Sequence, residues 1–206
     1  MIFRKNIPDE MNTWFVFVGL GNPGREYENT RHNIGFLVIK RLAQRWGIDV
    51  TRYRFKSLTG DGTVKDKKVA LVMPQTYMNN SGTAVSSFAR FYKLDIHNLM
   101  VINDDLDLPF GSIRLRKSGG SAGQKGMQSI IDKVGHAEFP RLRVGIGRPP
   151  GRMDAVDYVL KKFKPADEIV LNQVLDTCAD AIETYLEQGI EKAMTLFNHS
   201  ILNDDE

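Results

Sequence analysis

The chain has 206 residues, 42% hydrophobic and 26% charged, a length and balance that fit one globular domain and argue against wholesale disorder. Its single cysteine, Cys178, excludes an intramolecular disulfide framework and any cysteine-built zinc site. The longest apolar run, Phe15 to Gly21, is far too short to span a bilayer, and Arg4 and Lys5 are followed by no apolar signal segment, so a soluble protein of a reducing compartment, the cytoplasm, is expected.

Residues 1–12 contain Pro8, show no periodicity and read as a flexible extension, leaving 13–206 as a single domain. Residues 14–19 (WFVFVG) are an apolar, β-branched and aromatic run ended by glycine, the pattern of a buried strand. From Asn33 to Trp46 the positions Ile34, Leu37, Val38, Leu42 and Trp46 recur at helical spacing, with Gly47 as the stop. Residues 53–59 and 67–73 read as two strands of a hairpin joined by Gly60–Asp66. A helix at 82–92, strands at 98–103 and 111–116, a helix at 126–134, a strand at 141–146 and a short helix near 154–162 follow. Helices at 166–187 and 190–198, broken at Gly189, close the chain. Strands interleaved with helices predict an α/β domain, and the hairpin makes its sheet mixed.

The formal net charge of +3 hides a segregation: residues 110–164 carry 12 basic and 4 acidic side chains, residues 165–206 carry 1 and 10. The basic block is densest at Arg114, Arg116, Lys117, Lys125, Arg141, Arg143 and Arg148 and suits a polyanion, although, taken alone, solvated strand and loop charges account for it slightly better. The acidic block reads as a solvated helix face.

Gly19, Gly21 and Gly24 form a literal G-x-G-x-x-G after the first strand. A dinucleotide site is nonetheless set aside. Pro23 removes a backbone donor, no helix opens at the third glycine, and no acidic residue follows a second strand at the required distance of about 20 residues. The segment instead presents side chains: Asn22 at a turn, Tyr27, and His32 at the start of the first helix. Of the histidines His32, His97, His136 and His199, only His32 lies in a Gly/Asn-rich connection at the carboxyl end of a buried strand, where open α/β sheets bind ligands. Two more polar clusters follow apolar strands, Met78-Asn79-Asn80-Ser81-Gly82 and Asn103-Asp104-Asp105-Leu106-Asp107. Both are placed to converge with Asn22 and His32 on one crevice. A carboxylate beside a histidine fixes its tautomer, and an asparagine N–H can bind an oxyanion. The aspartates lack calcium-loop spacing and there is no His pair at i, i+4, so no metal is expected.

Five ordered segments, GLGNPGREYENTRHNIGF (19–36), PQTYMNNSG (74–82), NDDLDLPFG (103–111), GGSAGQKGMQSI (119–130) and FPRLRVGIGRP (139–149), resemble the motif set of bacterial-type peptidyl-tRNA hydrolases over about 14–198. The resemblance implies a monomeric, metal- and cofactor-free enzyme with a twisted mixed sheet surrounded by helices. Such an enzyme cleaves the ester between a peptide and the 3′-terminal ribose of tRNA. It further implies His32 as base, Asp104 as the carboxylate that orients it, and Asn22 and Asn79 as substrate-holding amides, Asn79 stabilising the oxyanion. Tyr27 would line the tRNA 3′ end, and Arg116 and Arg143 would clamp the tRNA 5′-phosphate. One position departs: where most members carry Gly-His-Asn-Gly, this chain has Gly123-Gln124-Lys125-Gly126. Lysine cannot accept a hydrogen bond, so the asparagine's role does not carry over; a contact of Lys125 with the CCA-end phosphates is expected instead. The glycine-containing stretch 104–124 is expected to gate the crevice. Two other classes compete: an RNA-binding relative without hydrolytic activity, like plastid intron-splicing factors, and a small-ester hydrolase that makes no use of tRNA. The intact Asn22, His32, Asn79 and Asp104 oppose the first, and the basic block opposes the second.

Overall fold

Seven strands build one mixed sheet in the order β2–β3–β4–β1–β5–β7–β6, seen in a computed structural model that describes residues 13–198. The extension expected over 1–12 lies outside the described residues. The strands are β1 (Trp14–Gly19), β2 (Arg52–Arg54), β3 (Ser57–Val64), β4 (Lys67–Pro74), β5 (Leu99–Asp105), β6 (Ile113–Arg116) and β7 (Arg141–Gly145). The helices are α1 (Ile34–Trp46), α2 (Ser81–Phe91), α3 (Lys125–Val134), α4 (Ala155–Val159), α5 (Glu168–Gln188) and α6 (Ile190–Phe197). β4, β1, β5 and β7 run parallel, while β2, β3 and β6 add antiparallel edges.

Parallel central strands are covered on both faces, which is why they read as continuous apolar runs. Phe17, Leu71, Met100 and Ile102 point into a core shared with Val38 of α1, Cys178 and Ile182 of α5 and Ala193 of α6. Val16, Val18, Val72 and Val101 point the other way, onto Val85 and Phe88 of α2 and Met127 and Ile130 of α3. Burial pushes the Cys178 thiol up, so the lone thiol is inert packing.

The sheet corrects the expected hairpin. Gly60–Asp66 is no turn: most of it continues β3, and two tight turns flank that strand, Phe55-Lys56 and Lys65-Asp66, each with positive φ at both residues. Gly60 is glycine because a methyl there would lie 2.5 Å from the Asp49 carbonyl oxygen. The acidic C-terminal block is also more than a solvated face. Asp176 pairs with Arg41, and Asp180 and Glu183 with Arg45, so α5 is docked on α1 by charge as well as by its apolar stripe, while Glu187 pairs with Lys65 of the β3–β4 turn.

The start of α1 sits very close to the ends of β1 and β5. A methyl at Gly35 would lie 2.4 Å from the Leu20 nitrogen and 2.5 Å from the Ile102 oxygen. Gly35→Ala is therefore expected to lower stability by about 1–3 kcal/mol, the usual cost of overpacking. At roughly 2–4 °C per kcal/mol for a chain of this size, thermal denaturation detects it. An unchanged melting temperature would show that the helix can move out without cost.

Candidate active site

The connection leaving β1 leads to α1 on one face of the sheet, and that leaving β4 leads to α2 on the other. This reversal opens a crevice at the carboxyl ends of the strands. A 3₁₀ turn, Arg31–Asn33, delivers His32 to its wall. Opposite, β5 runs two residues further than its apolar run suggests, because β7 continues to pair with it: Asn103↔Arg143, Asp104↔Val144, Asp105↔Gly145. Asp104 is thus a strand residue, held rigidly, with only 3% of its side chain exposed.

His32 Nδ1 lies 2.7 Å from Asp104 Oδ2. A carboxylate there fixes the Nδ1–H tautomer, and Nε2 is left as the ring nitrogen able to take a proton. Both residues line a crevice of about 360 Å³, within the range of ligand pockets. Its polar wall holds Asn22, Asn103 and Gln124, and its apolar wall comes from Leu106 and the α4 residues Ala155, Val156 and Val159. Arg31 locks α4's segment to the His32 turn. Its guanidinium donates to the Lys161 and Lys162 carbonyls at 3.2 and 2.9 Å and lies 4.6 Å over the Tyr158 ring.

Asn22 is oriented from both of its ends. Its backbone N–H donates to Asn33 Oδ1 at 2.8 Å, and its carbonyl accepts from Asn33 Nδ2 at 2.9 Å. Its side-chain Oδ1 accepts the Met78 N–H at 2.8 Å, which leaves the Nδ2 donors for whatever occupies the crevice. Asn33 was invisible as a site residue in the sequence, although its adjacency to His32 was the available signal. Gln124 was missed too: it belongs to a segment read only for Lys125.

The other expected site residues are placed differently. Asn79 is exposed and lines an adjoining pocket with Gln128, Ser129 and Asp132, not the His32 crevice. Lys125 lines both pockets and stands between them. Tyr27 lies in a 3₁₀ turn and packs edge-on against Tyr77, ring centroids 6.4 Å apart, outside the crevice lining.

Arg116 and Arg143 do come together. Strand pairing sets Arg116 opposite Arg141 and Arg114 opposite Arg143, all four on the sheet face away from Leu115 and Leu142. Arg116, Arg141 and Arg143 line a second cavity of about 370 Å³ that shares Asn103, Ser121 and Ala122 with the His32 crevice. The basic block is less free than its count suggests. Arg143 pairs with Asp105, Arg148 with Asp107, and Lys117 with Glu191 at 2.8 Å. Arg141 is buried and donates to the carbonyls of Gly119, Gly120, Ala137 and Phe139. Burial and the nearby Arg143 charge pull its guanidinium down to about 10, still cationic at neutral pH. These bonds also revise the idea of one loose gate over 104–124. That stretch contains β6, is pinned by Arg141 at Gly119 and Gly120, and is tied to β7 by Gly145 N–H donating to the Ser112 carbonyl at 2.9 Å.

Among the described residues, no three His, Cys, Asp or Glu side chains converge as a metal-binding group, and no helix is long and apolar enough to cross a membrane. A histidine–carboxylate pair thus stands beside a clamped asparagine at the carboxyl edge of a mixed sheet. The chain belongs to the peptidyl-tRNA hydrolase family, whose model matches residues 16–205. Peptidyl-tRNA hydrolases of Chloroflexus aggregans and Carboxydothermus hydrogenoformans are 50% and 53% identical to it over 186 and 184 residues. They cover 90% and 89% of this chain and 98% of each relative. A crystal structure of peptidyl-tRNA hydrolase from Acinetobacter baumannii matches with a TM-score of 0.85 at 33% identity, over 92% of this chain and 96% of that one.

Proposed function

We propose that the chain, a monomer in the cytoplasm, carries out its family's reaction by activating water against the ester that joins a peptide to the 3′ end of tRNA, without a metal or cofactor. The observation that carries this reading is the 2.7 Å contact of His32 Nδ1 with Asp104 at the wall of the crevice. It leaves Nε2 as a base toward the cavity, and a non-hydrolytic binding relative has no need of it. His32 takes a proton from water as the water attacks the carbonyl carbon. Asp104 holds the ring and stabilises the imidazolium, which then protonates the departing ribose oxygen. General-base help of this kind is worth roughly 10²–10⁴ in rate.

The oxyanion donor in this proposal is Asn22 Nδ2, since Asn22 lines the crevice with its Oδ1 already committed to Met78 N–H. Such a donor contributes on the order of 10²–10³. Asn79 is assigned to substrate beyond Lys125, in the adjoining pocket. Arg116 and Arg143 take the 5′-phosphate of the acceptor stem, and Lys125 takes a phosphate of the CCA end. Tyr27, beside Tyr77, takes a base or sugar of that end. Recognition of this kind reads phosphate and shape, as an A-form stem requires.

The test is release of peptide from N-blocked aminoacyl-tRNA by the purified full chain, with and without EDTA. Turnover unaffected by chelation is expected. Loss of turnover with EDTA, restored by added metal, would overturn the metal-free mechanism, and an intact substrate in every condition would favour a binding role.

A further inference from the structure

Gln124 touches three parts of the site at once. It is the residue before α3, and its Oε1 accepts the Met127 N–H at 2.6 Å, capping the helix. Its Nε2 donates to Asp104 Oδ1 at 3.0 Å and lies 3.2 Å from Met78 Sδ. The amide has one possible orientation. Turned over, it would set its oxygen against a carboxylate oxygen and its NH₂ against a backbone N–H, two repulsive contacts in place of two hydrogen bonds. The approach is close because residue 126 is glycine: a methyl there would lie 2.4 Å from Met78 Sδ and 3.1 Å from Gln124 Oε1.

Both oxygens of Asp104 are therefore committed, Oδ2 to His32 and Oδ1 to Gln124. We propose that Gln124 is a positioning residue for hydrolysis: anchored to the first turn of α3, it fixes the plane of the Asp104 carboxylate and through it the His32 imidazole. A single bond to His32 would let the carboxylate rotate about its last torsion and the ring with it; a second bond from a helix-anchored donor removes that freedom. The inference deepens the reading of His32 and Asp104 as the base pair and rests on it.

Gln124→Glu separates positioning from capping, because it keeps an acceptor for Met127 N–H while placing a second carboxyl group against Asp104. If Gln124 only caps α3, this variant keeps its wild-type kcat on the pH plateau. If it positions Asp104, kcat falls by about 10- to 100-fold, as misplacement of a reacting group does, with KM nearly unchanged. The added negative charge moves the acid limb of the pH–rate profile up whichever role Gln124 has, so the discriminating readout is kcat on the pH plateau. The other charged groups lining the crevice are Asp105, paired with Arg143, Asp107, paired with Arg148, and Lys125; the substitution leaves all of them in place. Gln124→Ala, which removes cap and donor together, loses kcat and also melting temperature, and so measures the structural share.

Gln124→Glu is assayed beside His32→Ala. Wild-type kcat on the pH plateau in Gln124→Glu, with His32→Ala inactive, would overturn the positioning role alone. Near-normal turnover in His32→Ala would instead overturn the base assignment beneath it.

Discussion

His32→Ala is expected to lower turnover of peptidyl-tRNA by about 10²–10⁴-fold, the range over which a general base acts, while the protein stays folded. The side chain is 15% exposed and belongs to neither hydrophobic core, so its removal opens space to crevice water and creates no apolar void. Asp104 keeps its bond from Gln124. Asp104→Asn tests the same pair from the other side. An amide has one acceptor atom, and two donors, His32 Nδ1–H and Gln124 Nε2–H, need one each at this position. If Gln124 keeps the acceptor, the new NH₂ faces His32 Nδ1, and the ring is driven into the Nε2–H tautomer, which cannot take a proton from water. A loss of about 10²-fold or more in kcat with little change in KM is expected. Circular dichroism and melting temperature check that both variants are folded. Turnover near wild type in His32→Ala would move the base elsewhere.

The parts of this molecule that were legible in the sequence are those where one side chain carries its own signal. WFVFVG and the run ending at Asn103 announce buried parallel strands because both their faces are covered, and the helical spacing after His32 gives α1 almost to the residue. Gly60 and Gly62 misled because glycine marks close backbone approach as readily as it marks a turn. Only the distance to Asp49 and Ile48 separates the two cases. Charge misled in both directions for one reason: composition counts ions but not their partners. Arg141 and Arg143 were counted as surface and are engaged within the fold, whereas Lys117 and Arg148 stay exposed and pair with Glu191 and Asp107. The α5 carboxylates are solvated as expected, yet they also pair with Arg41, Arg45 and Lys65. His32 and Asp104 stand 72 positions apart in sequence, and only β5 lying beside β1 makes them neighbours. Gln124 carries no chemical signature at all: its importance lies in which two groups it happens to join.

Replacing Arg116 and Arg143 together with alanine is expected to raise KM for peptidyl-tRNA by about 30- to 900-fold, each lost phosphate contact being worth on the order of 1–2 kcal/mol. The salt dependence of KM should flatten by about one unit of slope per contact. Turnover at saturation should change less, because a phosphate held equally in ground and transition states contributes to binding and not to the chemical step. The two arginines are not equivalent. Among the described residues Arg116 has no carboxylate partner, whereas Arg143 is bonded through Nε to Asp105, whose side chain is only 6% exposed. Removing Arg143 leaves that carboxylate buried without its cation, next to Asp104, and costs stability as well as affinity. Arg116→Ala is therefore the clean variant, and the single and double mutants need melting temperatures alongside kinetics. The decisive comparison uses tRNA without a 5′-phosphate: it should bind the wild type more weakly, yet bind the double variant as well as phosphorylated tRNA does. A preference for the 5′-phosphate that survives in the double variant would sink the assignment. Lys117 is paired with Glu191 and Arg141 is consumed by backbone carbonyls, so the phosphate would then fall to Arg114, which stands opposite Arg143 on the same sheet face.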